Sequence, residues 1–341
     1  MVPIMLDVLN QARLLIITGK GGTGKTTVAA SIALAAAMRG RRTVLIEVEG
    51  RQGLAGLFGR PALGYRETHL AERLLGIAVD REASLREYLG RYGFAPLARL
   101  LSWAHLTRFI TAAAPGLGDV LLVGKVWEAA TRREGRRFVY DLVVLDAPPT
   151  GRVVPFLRAP ETVAEVARVG PIRHQADRVR ELLDDPAMTA VVLTCLPEEL
   201  PVTETLEAAA ALRAANLPLA GAVANQVTPD RLGGRSGRLA SLARDQAPLA
   251  RAAEAAAAGL DAAAIGTLLA EARDLARQVA RQQRQLKELH AGLAGLPVVE
   301  LPLLAGGVGG PEAVRALAGR LAFPEAAAPP DGGERAAGAR P

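Results

Sequence analysis

Six short stretches of this chain are apolar at nearly every position: residues 14–17 (LLII), 43–48 (TVLIEV), 138–145 (FVYDLVVL), 190–194 (AVVLT), 219–224 (LAGAVA) and 297–301 (PVVEL). Runs of that length and continuity are the pattern of strands buried on both faces. Between the first two, apolar or small residues fall at Val28, Ala29, Ile32, Ala33, Ala36 and Ala37. That spacing predicts a helix over residues 25–39, and Gly40 stands where a C-terminal cap belongs. Another helix is expected over 202–214. A strand, a glycine-rich loop, a helix and a strand in succession imply a parallel sheet with right-handed crossovers. The fold class is therefore α/β, with a mostly parallel central sheet flanked by helices.

Two blocks depart from this alternation. Residues 66–136 show leucines at 70, 74, 75, 85, 89, 97, 100 and 101, mostly at helical spacing, and are expected to form a helical insertion. Residues 235–290 form a second helical block. There Ile265, Leu268, Leu269, Ala272, Leu275, Ala276 and Val279 make one apolar stripe at period 3.6. Such a stripe either packs on the domain itself or seats a partner helix. Residues 324–341 are rich in Pro, Gly and Ala and are expected to be disordered. The organisation read from this is one domain over 1–323 with two helical insertions, then a tail.

Composition narrows the classes. Half of the 341 residues are hydrophobic and 4% are aromatic, so the core is aliphatic and rich in alanine. With 22% charged residues the chain is not wholly disordered. The net charge of +6 is modest for this length, and only four of the 41 basic residues are lysines. No nucleic-acid partner is expected from it. The single cysteine, Cys195, excludes an internal disulfide and any zinc site built on two cysteines. It fits a reducing cytoplasm, and its place at a strand end reads as a small buried hydrophobe. No run reaches the ~18 apolar residues of a membrane span, and residues 1–18 lack the pattern of a secretory signal. The protein is expected to be cytoplasmic and not integral to a membrane.

The informative segment is GKGGTGKTT at 19–27. It fits G-x-x-x-x-G-K-[ST], with a strand expected before it and a helix after it. Gly19, Gly21, Gly22 and Gly24, with Thr23 between them, let backbone N–H groups close around a polyphosphate, and the helix N-terminus adds positive field. Lys25 would neutralise β- and γ-phosphate charge, the Thr26 hydroxyl would ligate Mg²⁺, and Thr27 could reach the α-phosphate. Two of the four lysines, Lys20 and Lys25, lie in this loop. In a chain whose default cation is arginine, that placement points to a need for a compact ammonium there. Asp146, at the end of a hydrophobic strand, stands where a Mg²⁺-organising carboxylate belongs.

The order KGGTGKT, with Lys20 directly after the first glycine, resembles the deviant P-loop group that includes ArsA/Get3, MinD/ParA and the nitrogenase iron protein. Four further segments resemble the ArsA/Get3 branch in order and spacing: DAPPTG at 146–151, TCLPEELPVTETL at 194–206, ANQV at 224–227 and LPLLAGGVGG at 301–310. The resemblance runs from about residue 12 to 322. It implies a P-loop ATPase that takes ATP and Mg²⁺ and sandwiches nucleotide in a homodimer or a heterodimer with a paralogue. It implies that Lys20 reaches the partner's nucleotide, that Asn225 contacts adenine, and that Pro302 joins the nucleotide-binding residues.

The departures from that family are specific. Where its switch I carries a water-positioning Asp, EVEGRQGLAGLF at 47–58 places Glu49, one methylene longer. The switch histidine is replaced by Gln52, and the one in switch II by Arg152. The arsenite-sensing cysteines, the paired CxxC zinc clamp and a methionine-rich client groove have no counterpart here. Catalytic roles are expected for Lys20, Lys25, Glu49 and Asp146, with Thr26 and Asp146 on the metal. Three readings follow: an ATPase whose nucleotide state drives a client, either a transporter or a membrane protein; a nucleotide-gated binding module serving a paralogous ATPase; and a ParA/MinD-like positioning ATPase. The last would use DNA through Arg231, Arg235, Arg238 and Arg244, a run that also fits a solvated helix face.

Overall fold

The computed structural model describes residues 12–48, 53–91, 116–166, 171–230, 262–304 and 309–322. Glu49, the arginine run from Arg231 to Arg244 and the tail 324–341 lie outside the described residues.

The chain begins with β1 (Leu14–Gly19), α1 (Lys25–Met38), β2 (Thr43–Val48) and the short α2 (Gly53–Leu57). β3 (Thr68–Ala71) and β4 (Leu74–Val79) follow, then α3 (Arg81–Arg91) and α4 (Leu117–Thr131). A small ribbon, β5 (Arg133–Glu134) and β6 (Arg137–Phe138), precedes β7 (Leu142–Asp146), α5 (Thr150–Val166) and α6 (Pro171–Asp184). The remainder is β8 (Thr189–Cys195), α7 (Glu199–Ala214), β9 (Leu219–Val227), α8 (Ala262–Gly292), β10 (Val298–Pro302) and α9 (Pro311–Ala322).

Eight strands form one sheet in the order β10-β9-β8-β1-β7-β2-β4-β3. All neighbours are parallel except β3, which runs antiparallel to β4 at the edge. Alternation within the apolar runs divides the core into two layers. Leu14, Ile16, Val44, Ile46, Val143 and Leu145 face one way, onto Val126 of α4, Phe156 of α5, Val179 of α6, Leu212 of α7 and Leu289 of α8. Leu15, Ile17, Leu45 and Val144 face the other, onto Val28 and Ile32 of α1 and Val314 and Leu317 of α9. Each fully buried side chain of that size contributes about 1.5–3 kcal/mol. Twelve of the 14 residues of α1 are buried. It lies between the sheet and α9, and its alanines allow that close double contact. Gly40 takes φ 87° just past the end of α1 and donates its N–H to the Ala37 carbonyl, as expected of a cap.

The helical insertion expected over 66–136 is corrected at its start and end. Residues 68–79 are a hairpin of the main sheet, with β4 in parallel register against β2. The Leu70, Leu74, Leu75 spacing mimics a helix, but the chain reverses at Arg73, which takes φ 58° without the usual Gly or Asn. Gly76 faces Leu70 across the hairpin so closely that a Cβ there would lie 2.6 Å from the leucine. Helices occupy Arg81–Arg91 and Leu117–Thr131. The strand expected from residue 138 starts at Leu142, because Phe138 belongs to the ribbon, where Arg13 and Arg133 stack on its ring.

α8 packs through the C-terminal continuation of the expected stripe. Ala276 and Val279 are buried, as are Leu286, Leu289 and Leu293 further along, whereas Leu268 is 52% exposed. Gln278 Nε2 donates to Thr228 Oγ1 at 2.9 Å, and Gln282 Oε1 accepts the Thr228 N–H at 2.7 Å. These bonds fix the helix over the end of β9.

Candidate nucleotide site

The direction of strand succession reverses at β1, which lies between β7 and β8. Open α/β sheets bind ligands in the crevice at the carboxyl ends of strands at such a reversal. There the sheet brings together Gly19 of β1, Glu47 of β2, Asp146 of β7, Thr194 of β8 and Asn225 of β9, with Pro302 at the end of the edge strand β10.

The loop glycines meet three different demands. At Gly19 a Cβ would sit 2.2 Å from the Thr194 carbonyl oxygen on β8, so no side chain fits. Gly22 and Gly24 hold φ values of 87° and 84°, which side chains rarely adopt. A Cβ on Gly24 would also lie 2.3 Å from Asn225 Nδ2. At Gly21 and Gly22 a Cβ would meet nothing within 4 Å. Their backbone therefore borders open space at the N-terminus of α1.

The carbonyl of Lys20 closes the loop. It accepts from Thr23 Oγ1 at 2.9 Å and from Lys25 Nζ at 3.0 Å. Lys25 is only 7% exposed, so its ammonium is drawn in under the loop. Asn225, buried at 1% exposure, donates from Nδ2 to the Thr23 carbonyl at 3.0 Å. The amide expected to contact a base thus holds the loop against β9. Thr26 and Thr27 lie in the first turn of α1, where backbone N–H groups point outward and the helix field is positive.

Thr26 Oγ1 donates to Asp146 Oδ2 at 2.8 Å, and Asp146 is 2% exposed. The strand carrying Asp146 is pinned to the loop strand: the Ala147 N–H donates to the Ile17 carbonyl at 2.9 Å and Thr18 Oγ1 to the Pro148 carbonyl at 2.7 Å. A hydroxyl and a carboxylate are thus held together beside a cradle of backbone N–H groups. This donor set suits a hard divalent cation that takes its remaining ligands from phosphate and water. Among the described residues, no group of three or more His, Cys, Asp and Glu could hold a metal by itself.

Residues 12–174 and 165–247 match the model of the anion-transporting ATPase family, ArsA_ATPase, which covers more than half of the chain. The chain belongs to that family. Two relatives, ATPase BagA of Mycobacterium tuberculosis (strain H37Rv) and the putative ATPase Mb3704 of Mycobacterium bovis, are each 43% identical over 231 residues, covering 66% of this chain and 68% of theirs. ATPase GET3C of Arabidopsis thaliana is 22% identical over 269 residues, 65% of this chain and 68% of its own. This ArsA/Get3-family protein is an ATPase, and its sheet is that of a P-loop NTPase.

Lys20, Arg152 and Cys195 of this ATPase have defined places. Lys20 Nζ pairs with Glu204 of α7 in the same chain, with side chains 51% and 22% exposed. Arg152 lies exposed at the start of α5, 3.9 Å from Asp119. Cys195 is fully buried, its Sγ 3.0 Å from the Leu196 carbonyl, and burial pushes its thiol up to about 11. The residue that sequence reasoning passed over is Glu47, 1% exposed and paired in register with Asp146. Its signal was present: it is the one charge inside TVLIEV.

Proposed function

We propose that this ATPase binds ATP with Mg²⁺ at the loop 19–27 and hydrolyses it as a dimer, using the nucleotide state to drive a client or a transporter. The convergence of Lys25, Thr26 and Asp146 at the reversal of the sheet is the observation that carries the reading. Lys25 and the N–H groups of Gly21 to Thr26 hold the β- and γ-phosphates, and Thr27 stands next in line for the α-phosphate. Thr26 and Asp146 would hold the cation, which when bound neutralises charge building on the phosphate oxygens. Glu49 positions the attacking water. The water adds to the γ-phosphorus as its bond to the bridging oxygen breaks, giving ADP, phosphate and a proton. Asn225 keeps the loop rigid, and Pro302 borders the same crevice.

Lys20 serves the partner's nucleotide. Its pairing with Glu204 is half exposed, and such a pair is worth about 0–1 kcal/mol. It is therefore readily exchanged for a phosphoryl group, where a cation supplied in trans can be worth ~10³–10⁵ in rate. Lys20→Ala is expected to lose turnover in a phosphate-release assay while ADP affinity stays close to wild type. Undiminished turnover would remove the trans role. Nucleotide binding without turnover in the wild-type chain, restored by a second protein, would instead favour the binding module. No helix among the described residues is long and apolar enough to cross a membrane. A membrane client or transporter would therefore be engaged through contacts other than such a helix of the described chain.

A further inference from the structure

β2 buries a charge where its other positions are apolar or hydroxylic. Every residue of TVLIEV is buried, and Glu47 is 1% exposed. Strand register sets it beside Asp146 on β7. Its Oε1 accepts the N–H of Gly53, the first residue of α2, at 2.8 Å. Gly53 in turn lies against Thr26. A Cβ built there would be 3.3 Å from Glu47 Oε1, 3.2 Å from Thr26 Cγ2 and 3.9 Å from Thr26 Oγ1. One backbone position therefore touches both Glu47 and Thr26, and Thr26 Oγ1 reaches Asp146.

Two carboxylates buried side by side on adjacent strands are costly to hold without cations or hydrogen-bond donors around them. The hydrogen bond from Gly53 offsets part of that cost, and a divalent cation would offset far more. Mg²⁺ in nucleotide sites takes one or two carboxylates together with phosphate oxygens. We propose that Glu47 is the second carboxylate of the divalent-cation corner, supporting the cation beside Thr26 and Asp146 and tying the start of α2 to it. The inference rests on the assignment of Thr26 and Asp146 to the cation. It concerns a position at which the resemblance implied no role.

The test is calorimetry of ADP binding by the full chain across a Mg²⁺ titration, comparing wild type with Glu47→Gln. Glutamine keeps an oxygen to accept the Gly53 N–H and removes only the charge. The Mg²⁺ concentration needed for half of its effect is expected to rise by about tenfold or more, the usual cost of losing a supporting group at a metal. ADP affinity without Mg²⁺ should stay unchanged. A purely structural Glu47 would leave the Mg²⁺ midpoint where it is, and that result overturns the proposal. Should Glu47→Gln fail to fold, Glu47→Asp carries the test: its shorter stem is expected to move the midpoint in the same direction, and an unmoved midpoint overturns the proposal. A wild-type chain that binds ADP with no Mg²⁺ dependence sinks the Thr26–Asp146 assignment and this inference together. Normal wild-type dependence with unaltered Glu47→Gln sinks this inference alone.

Discussion

At the scale of single residues, the loop glycines are the sharpest constraint, because sterics and φ act at different ones. Gly24→Ala puts a methyl 2.3 Å from Asn225 Nδ2 at a φ of 84°. It is expected to cost about 1–3 kcal/mol of stability and to lose nucleotide binding. Gly21→Ala adds a methyl in open space and is expected to leave stability within about 0.5 kcal/mol. Denaturant melts of the two variants decide this, and equal losses would contradict the loop geometry. Cys195 gives a second check. Burial holds its thiol protonated up to about 11, and the thiolate is the reactive form. Iodoacetamide at pH 8 should therefore label the folded chain slowly and the unfolded chain fast. The sign for stability follows from the raised value. The contribution is full below the ordinary value of 9.0 and is lost as pH rises towards about 11, because the unfolded thiol ionises first. The phosphate loop was legible in the sequence because each glycine and the lysine answer a backbone demand at a fixed spacing. Glu47 left a weaker signal, a single charge inside the apolar run TVLIEV, because one carboxylate in a strand has no periodic signature.

At the scale of elements, β1, β2, β7, β8, β9 and β10 could be read from sequence because burial on both faces leaves continuous apolar runs. The β3–β4 hairpin could not. Its leucines fall at a helical interval, and its turn at Arg73 lacks the residues that usually mark a reversal. α8 was legible as a helix with one apolar stripe, but where along its length it seats was not. Its fixed part is the C-terminal portion, where Leu289 is fully buried and a Cβ on Gly292 would lie 2.5 Å from Leu206 of α7. Leu289→Ala is expected to cost about 2–5 kcal/mol, and Leu268→Ala, at a half-exposed position, about 0.5 kcal/mol or less. Thermal or urea unfolding of the pair measures the difference. Similar losses would mean that the helix is held along its whole length.

At the scale of the whole molecule, the sheet acts as a ruler. Parallel register sets the ends of β1, β2, β7, β8 and β9 level, so Gly19, Glu47, Asp146, Thr194 and Asn225 meet from segments over 200 residues apart in the chain. Hydrogen bonds between these strand ends and the loop make the crevice a rigid part of the fold. The parallel sheet follows from the alternation of apolar strands with helices, whereas the family shows in the motifs at the strand ends. A client would leave no such imprint, because a binding surface needs no periodicity.

The most direct test of the central claim is isothermal calorimetry of ADP with Mg²⁺ on the wild-type chain and on Lys25→Ala. The account predicts saturable binding by the wild type. For the variant it predicts a loss of about 1.5–3 kcal/mol, the worth of a hydrogen bond to a charged group. Equal binding by the two, or no binding by the wild type, would contradict it.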